Sequence, residues 1–124
     1  NKELLDILSK ISVKTIIAIS SGAAVNASKG WGAYSLSKSS LNMLIKLYST
    51  EMPTTKLLAV APGVIKTAMT DIIRFEIDDT IFTSAKVLKN GLIQTPKKAA
   101  SRLYKINNRL KEFETGSFID IRKI

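Results

Sequence analysis

Lys14-Thr-Ile-Ile-Ala-Ile-Ser20 and Lys56-Leu-Leu-Ala-Val-Ala61 are the two stretches on which the fold turns. Each is a short apolar run bounded by turn residues, the pattern of a strand covered on both faces. Between them, Ser20 to Gly32 is rich in Ser, Gly, Ala and Asn and reads as a loop. From Ala33 to about Glu51 apolar residues recur at helical spacing, at Leu41, Leu44, Ile45 and Tyr48, with Leu36, Met43 and Leu47 on a second side. Strand, loop, helix and strand in that order make a parallel pair joined by a helical crossover.

Working outward, Leu4, Leu5, Leu8 and Ile11 share one helical side, which predicts the last turns of a helix over Lys2 to Ile11. Pro62-Gly63 stops the second strand. Thr67 to about Asn90 mixes acids with Met69, Ile72, Ile73, Phe75 and Phe82 and is expected to form short helices and loop, of which Ala68 to about Asn90 is expected to act as a substrate lid. Thr95 and Pro96 are an N-cap and a first helical position, so a helix is predicted from there to about Asn108. Ser117-Phe-Ile-Asp-Ile121 alternates and predicts a closing strand. The fold class is α/β with a parallel sheet of about three strands and flanking helices. The 124 residues allow one domain, and they contain no repeat and no low-complexity segment.

Composition narrows the chemistry. Hydrophobic residues make up 45% and charged residues 23%, the balance of a globular chain, and with only 6% aromatics the core rests on Ile, Leu, Val and Ala. There is no Cys and no His. That excludes disulfides, thiolate nucleophiles and His-based triads, and no metal site is expected. Catalysis must run on Ser, Tyr, Lys, Asp or Glu. The apolar runs fall far short of the roughly 20 residues that cross a bilayer, so no membrane association is expected. The lack of Cys fits a cytoplasmic protein. The first residue is Asn rather than Met, so a segment is expected to have preceded it.

The net charge is +9, and eight basic residues with no acidic one lie between Thr80 and Lys111. Lys98, Arg102, Lys105 and Arg109 recur at helical spacing beside an apolar stripe of Ala99, Leu103, Ile106 and Leu110. This is a surface helix with a solvated basic face, or one that meets an anionic partner. Aromatics do not alternate with the charges, so nucleic acid is not an expected partner.

Tyr34 and Lys38 stand four apart at the start of the second helix, on one face about a turn apart. A free phenol ionises near pH 10, and a neighbouring ammonium favours the phenolate, which suits a tyrosine for acid–base work. Ser21 lies 13 residues before Tyr34, just past a strand end, where α/β sheets build their sites. A serine hydroxyl there can hydrogen-bond a carbonyl that the tyrosine protonates. Alone, a Tyr-x-x-x-Lys pair is a weak signal. The run strand-Ser-Ser-Gly22, Tyr34-Ser-Leu-Ser-Lys38 and strand-Pro62-Gly63-Val-Ile-Lys-Thr67 is a much stronger one. Beside these readings stand plainer ones: Ser21 as a strand-end cap, Tyr34 and Lys38 as a half-buried tyrosine with a snorkelling lysine, and Thr67 as a helix cap. Trp31 is read either as core packing or as a wall of a substrate pocket.

With those motifs together, the chain resembles the short-chain dehydrogenase/reductase family, from Lys14 to about Asp71 and again over Gly116 to Ile121. The match is to the carboxyl half of a Rossmann-type, doubly wound parallel sheet. The resemblance implies an NAD(P)-dependent oxidoreductase acting on a ketone or aldehyde, with NADP favoured and NAD the alternative. In it Tyr34 matches the general acid/base. Lys38 matches the lysine that holds the nicotinamide ribose and lowers the tyrosine's pKa, and Ser21, rather than Ser20, matches the active-site serine. Thr67 matches the residue that holds the carboxamide, within a cofactor-binding segment of Pro62, Gly63, Val64 and Ile65 whose backbone contacts come from Val64 or Ile65. Gly22 and Trp31 would join Ser21 and Tyr34 on the substrate. The surroundings of Tyr34 look closest to sepiapterin-reductase-like and benzil-reductase-like carbonyl reductases.

The family's Gly-x-x-x-Gly-x-Gly loop and Asn-Asn-Ala-Gly motif are not in these residues, and Asn1 is not assigned to its active-site asparagine. The chain is therefore expected to be a single partial domain, 1–124, the catalytic half without the amino-terminal cofactor cradle. Two alternatives remain open: a 3-oxoacyl-carrier-protein reductase whose acidic carrier docks on the basic helix 96–108, and a non-catalytic remnant acting as an interaction module. The outward stripe of Leu36, Met43 and Leu47 predicts a homodimer or homotetramer through the second helix.

Overall fold

The computed structural model of the chain describes residues 2–8, 10, 11 and 13–124. Helix α1 spans Lys2–Leu8, strand β1 Thr15–Ile19, helix α2 Gly32–Glu51 and strand β2 Lys56–Ala61. Then come α3 (Ala68–Phe75), α4 (Thr83–Asn90), α5 (Pro96–Lys105), α6 (Asn107–Leu110) and β3 (Phe118–Asp120). Single 3-10 turns occupy Gly22–Ala24 and Ile121–Lys123. Among the described residues, no helix is long and apolar enough to cross a membrane.

The sheet has three parallel strands in the order β1-β2-β3. β2 is central, and Leu57, Leu58, Ala59, Val60 and Ala61 are each at most 1% exposed. Its alternation explains the unbroken apolar run. Leu57 and Ala59 face one way, onto Leu5 of α1 and Ile45, Tyr48 and Met52 at the end of α2. Leu58 and Val60 face the other way, onto Leu110, Ile119 and Ile121, with Leu103 and Ile106 packed beside them. Helices thus cover both faces, the doubly wound arrangement expected.

Among the described residues β1 pairs with β2 alone, and in this chain its residues are half-buried, Ile19 being 46% exposed, where the apolar run predicts a strand covered on both faces.

The remaining boundaries shift modestly. The first helix is described to Leu8, short of the predicted Ile11, since Lys10 and Ile11 already lie in a turn and a bend. Thr67 to Asn90 resolves into α3 and α4, which pack on each other. The helix predicted over Pro96 to Asn108 breaks at Ile106, which ends α5 and begins α6. Thr95 caps α5 as predicted, its hydroxyl accepting from the Lys98 N–H. Ala99 and Leu110 are buried and Leu103 and Ile106 half-buried, so the apolar stripe forms. Arg102 is not part of a freely solvated face, because its guanidinium donates to the Ile121 carbonyl at 2.7 Å.

α1 is tied to α2 by Tyr48, whose hydroxyl donates to the Asp6 carboxylate. That bond, helped by burial, pushes the Tyr48 phenol from its ordinary value of 10.0 up to about 12. The fold therefore favours the neutral phenol. The stabilisation is complete below pH ~10 and is lost as pH rises through about 12. In a phenolate absorbance titration one tyrosine should titrate near 12, and Tyr48→Phe should remove that step. A Tyr48 that titrates near 10 would contradict this link.

Candidate active site

The site forms where the carboxyl ends of β1 and β2 lie side by side, Ile19 opposite Val60. Chains leave both strands there, and open α/β sheets bind ligands at that edge. Ser20 continues the β1 pairing, its N–H donating to the Val60 carbonyl at 2.8 Å. Its hydroxyl is buried and donates to Asn42 Oδ1 on α2 at 2.6 Å. Ser21 then caps the 3-10 turn, its Oγ accepting from the Ala23 N–H at 3.2 Å. The capping role read for Ser21 is therefore present, and it uses a lone pair while leaving the O–H free to donate.

α2 carries the next two residues, one turn apart. Lys38 Nζ donates to the Ile19 carbonyl at 3.0 Å and sits 5.9 Å from the centroid of the Tyr34 ring. Trp31, just before the helix, meets the same ring edge-on, with centroids 5.3 Å apart and planes at 61°. The Trp31 indole N–H donates to Ser84 Oγ of α4 at 2.7 Å. Tyr34 is thus held between an indole and an ammonium.

After β2, Pro62-Gly63 turns the chain. Gly63 has φ +86°, a conformation side chains rarely adopt, and a Cβ there would lie 3.3 Å from Gln94 Nε2. Gln94 clamps this segment. Its side chain donates to the Pro62 carbonyl at 2.6 Å, and its backbone accepts from Lys66 N–H and donates to the Val64 carbonyl. None of these bonds uses the N–H groups of Val64 or Ile65. Thr67 caps α3 in a capping box with Thr70, accepting from the Thr70 N–H at 3.3 Å. The cap reading is therefore correct, and since Thr67 is exposed and accepts in that bond, its hydroxyl can still donate outward.

One cleft of about 210 Å³ collects Ser21, Trp31, Tyr34, Lys38, Pro62, Gly63, Val64, Ile65 and Thr67. Gly22 is the exception. It lines an adjoining cavity of about 310 Å³ beside Arg122, a cavity that shares Ser21, Trp31, Gly63 and Val64 with the cleft. A third space of about 280 Å³, on Lys29, Tyr34, Met69 and Phe82, also meets Trp31. Trp31 is therefore a wall common to all three rather than core filling.

Sequence reasoning missed Asn42, Ser84, Gln94 and Arg122. None sits in a motif: Asn42 lies one turn beyond Lys38 on α2, and the other three reach the site from later parts of the chain. Arg122 forks onto Asp120, Nε at 2.9 Å from Oδ1 and Nη2 at 2.6 Å from Oδ2. The Arg122 guanidinium holds the Asp120 carboxyl below the usual carboxylate range, with Lys123 adding to the effect, and Asp120 in turn pushes Arg122 upward.

This geometry joins a match over residues 1–77 to the family model described as short chain dehydrogenase. The chain belongs to the short-chain dehydrogenase family. Relatives include sepiapterin reductase of Bos taurus, 32% identical over 86% of this chain and 40% of that protein. Benzil reductase ((S)-benzoin forming) of Bacillus subtilis is 32% identical over 89% of the chain and 47% of that protein. The chain thus spans less than half the length of these relatives. Among solved structures, the KRED1-Pglu enzyme superposes with a TM-score of 0.75 at 24% identity, covering 95% of this chain and 51% of that one. 4-Hydroxyisoleucine dehydrogenase complexed with NADH gives 0.68 at 22%, covering 96% and 50%. At such identities these establish the Rossmann-type fold alone. The family implies a nicotinamide dinucleotide, and the cleft fits its nicotinamide end: a positive-φ glycine at the turn, backbone N–H groups not taken by Gln94, an available threonine hydroxyl and an ammonium.

The roof of the site tests its own packing. Gly30 has φ +86°, and a Cβ there would lie 2.8 Å from the Phe82 ring of the neighbouring segment. Gly30→Ala should cost about 1–3 kcal/mol in denaturant unfolding. Gly32→Ala, whose added Cβ meets no atom within 4 Å, should cost far less. Equal stability of the two variants would show that Phe82 does not press on this turn.

Proposed function

We propose that this chain is the catalytic half of an NAD(P)-dependent reductase of ketones or aldehydes, NADP being the favoured cofactor, working in the cytoplasm. The observation that carries the reading is the convergence of Ser21, Tyr34 and Lys38 with Pro62 to Thr67 in one cleft at the carboxyl ends of two adjacent parallel strands. The reductase names of the relatives agree with it.

When bound, the nicotinamide supplies the hydride that goes to the carbonyl carbon. The chain's own residues do the rest. Ser21 donates its free O–H to the carbonyl oxygen and so sets the reacting carbon in place. Tyr34 gives its phenolic proton to that oxygen as the alcohol forms. The new O–H bond and the broken Tyr34 O–H bond balance, and in the reverse direction Tyr34 takes the proton back. Lys38 spends one of its three donors on the Ile19 carbonyl and keeps the others for ribose hydroxyls. Thr67 and the N–H groups of Val64 or Ile65 hold the carboxamide.

A homodimer or homotetramer through α2 belongs to the same reading. Leu36, Met43 and Leu47 are 70%, 55% and 53% exposed, while Ile45 and Tyr48 on the other side are buried.

Two tests follow. In the full-length protein Tyr34→Phe should cut NADPH-dependent turnover by roughly a hundredfold or more with cofactor affinity nearly unchanged, whereas Lys38→Ala should weaken cofactor binding. A Tyr34→Phe enzyme that keeps substantial turnover overturns the mechanism. Met43→Glu with Leu47→Glu should give monomers in light scattering; an unchanged mass places the interface elsewhere.

A further inference from the structure

The cavity beside Ser21 is charged in one sense only. Among the described residues, no Asp or Glu lines it, the cleft or the third space, and their charged lining is Arg122, Lys38 and Lys29. Arg122 is oriented rather than loose. Asp120 takes its Nε and one N–H of Nη2, two of the five guanidinium donors, along one edge. The other edge, Nη1 with the second N–H of Nη2, has the spacing that pairs with a carboxylate in two parallel bonds.

Exposure divides the pair unevenly. The Asp120 side chain is 7% exposed and that of Arg122 50%, so the carboxylate is closed off and the cation is open. Nη2 also lies only 3.2 Å from where a Cβ on Gly22 would stand. The guanidinium is therefore packed against the residue that follows Ser21, and a side chain at Gly22 would push it away.

We propose that this cavity takes an oxo acid, a compound that carries a carboxylate close to its reducible carbonyl, and that Arg122 selects it by pairing with that carboxylate. The position of the reducible carbonyl rests on the reductase reading above. The anion subsite itself does not need turnover to be seen.

Trp31 lines the cavity and is the chain's single tryptophan, so its fluorescence reports occupancy directly. The full-length protein, with any tryptophan other than Trp31 replaced by phenylalanine, is titrated with α-ketovalerate and with its uncharged ethyl ester. The acid should bind at least roughly tenfold more tightly than the ester, the gap a charge-assisted bidentate pair supports. Arg122→Lys should keep part of that preference, and Arg122→Met should bring the two within about twofold. Because Arg122→Met leaves the Asp120 carboxylate unpaired, the double variant Asp120→Asn/Arg122→Met, which removes both charges, should show the same loss. No preference for the acid in the parent chain, or a preference that survives in the double variant, overturns the proposal. NADPH oxidation by the full-length protein separates the two ideas. An Arg122-dependent preference without turnover of either compound keeps the anion subsite and removes the reductase reading. Turnover of the ester with no preference in binding does the opposite.

Discussion

β2 is the element on which everything else depends. A parallel strand hydrogen-bonded on both sides has no solvent-facing edge, and its side chains alternate into two cores at once, so helices are required on both faces. Parallel neighbours also run the same way. Their carboxyl ends open onto one side of the sheet, and whatever follows β1 and β2 in the chain is delivered to the same place. Ser21 and Pro62 become neighbours for that reason, although about 40 residues of loop, helix and strand lie between them.

α2 turns this geometry into a site. Its buried residues, Ile45 and Tyr48, lie toward its carboxyl end and anchor it on the sheet. Its amino end then stands over the end of β1, where the Lys38 ammonium is bonded to the last carbonyl of that strand. One turn back along the helix is Tyr34, confined by Trp31. Trp31 is in turn bonded to Ser84 of α4, so the ring's neighbours on its two sides are each tied to another element.

The roof and the far wall come from later in the chain. α4 supplies Ser84, the bridge of Gln94 to Val64 and Lys66 stiffens the Pro62–Thr67 turn, and the segment after β3 supplies Arg122. Glycine at 30 lets backbone approach Phe82 at a distance that a side chain would not allow, and glycine at 63 supplies the positive φ of the turn beside Gln94. The site is thus a floor laid by two strands and one helix, closed by elements whose own sequences carry no catalytic pattern.

The sequence by itself determined the α/β class, the strands, α2 with its Tyr34–Lys38 pair, the Thr95 cap and the Pro62-Gly63 turn. These depend on neighbours within a turn or a strand, where side-chain period and backbone preference act directly. The sequence motifs, through their resemblance to the short-chain dehydrogenase/reductase family, also marked Ser21, Tyr34, Lys38 and Thr67 as residues of one site. Only the tertiary structure decided that the helix after Pro96 breaks at Ile106, that Gly22 faces a different cavity from Tyr34, that Gln94 braces the Pro62–Thr67 turn, and that Ser84 and Arg122 complete the walls. Those outcomes rest on contacts such as Trp31 to Ser84, 53 residues apart, which no local period encodes and which exist only once the sheet has set the distances between helices.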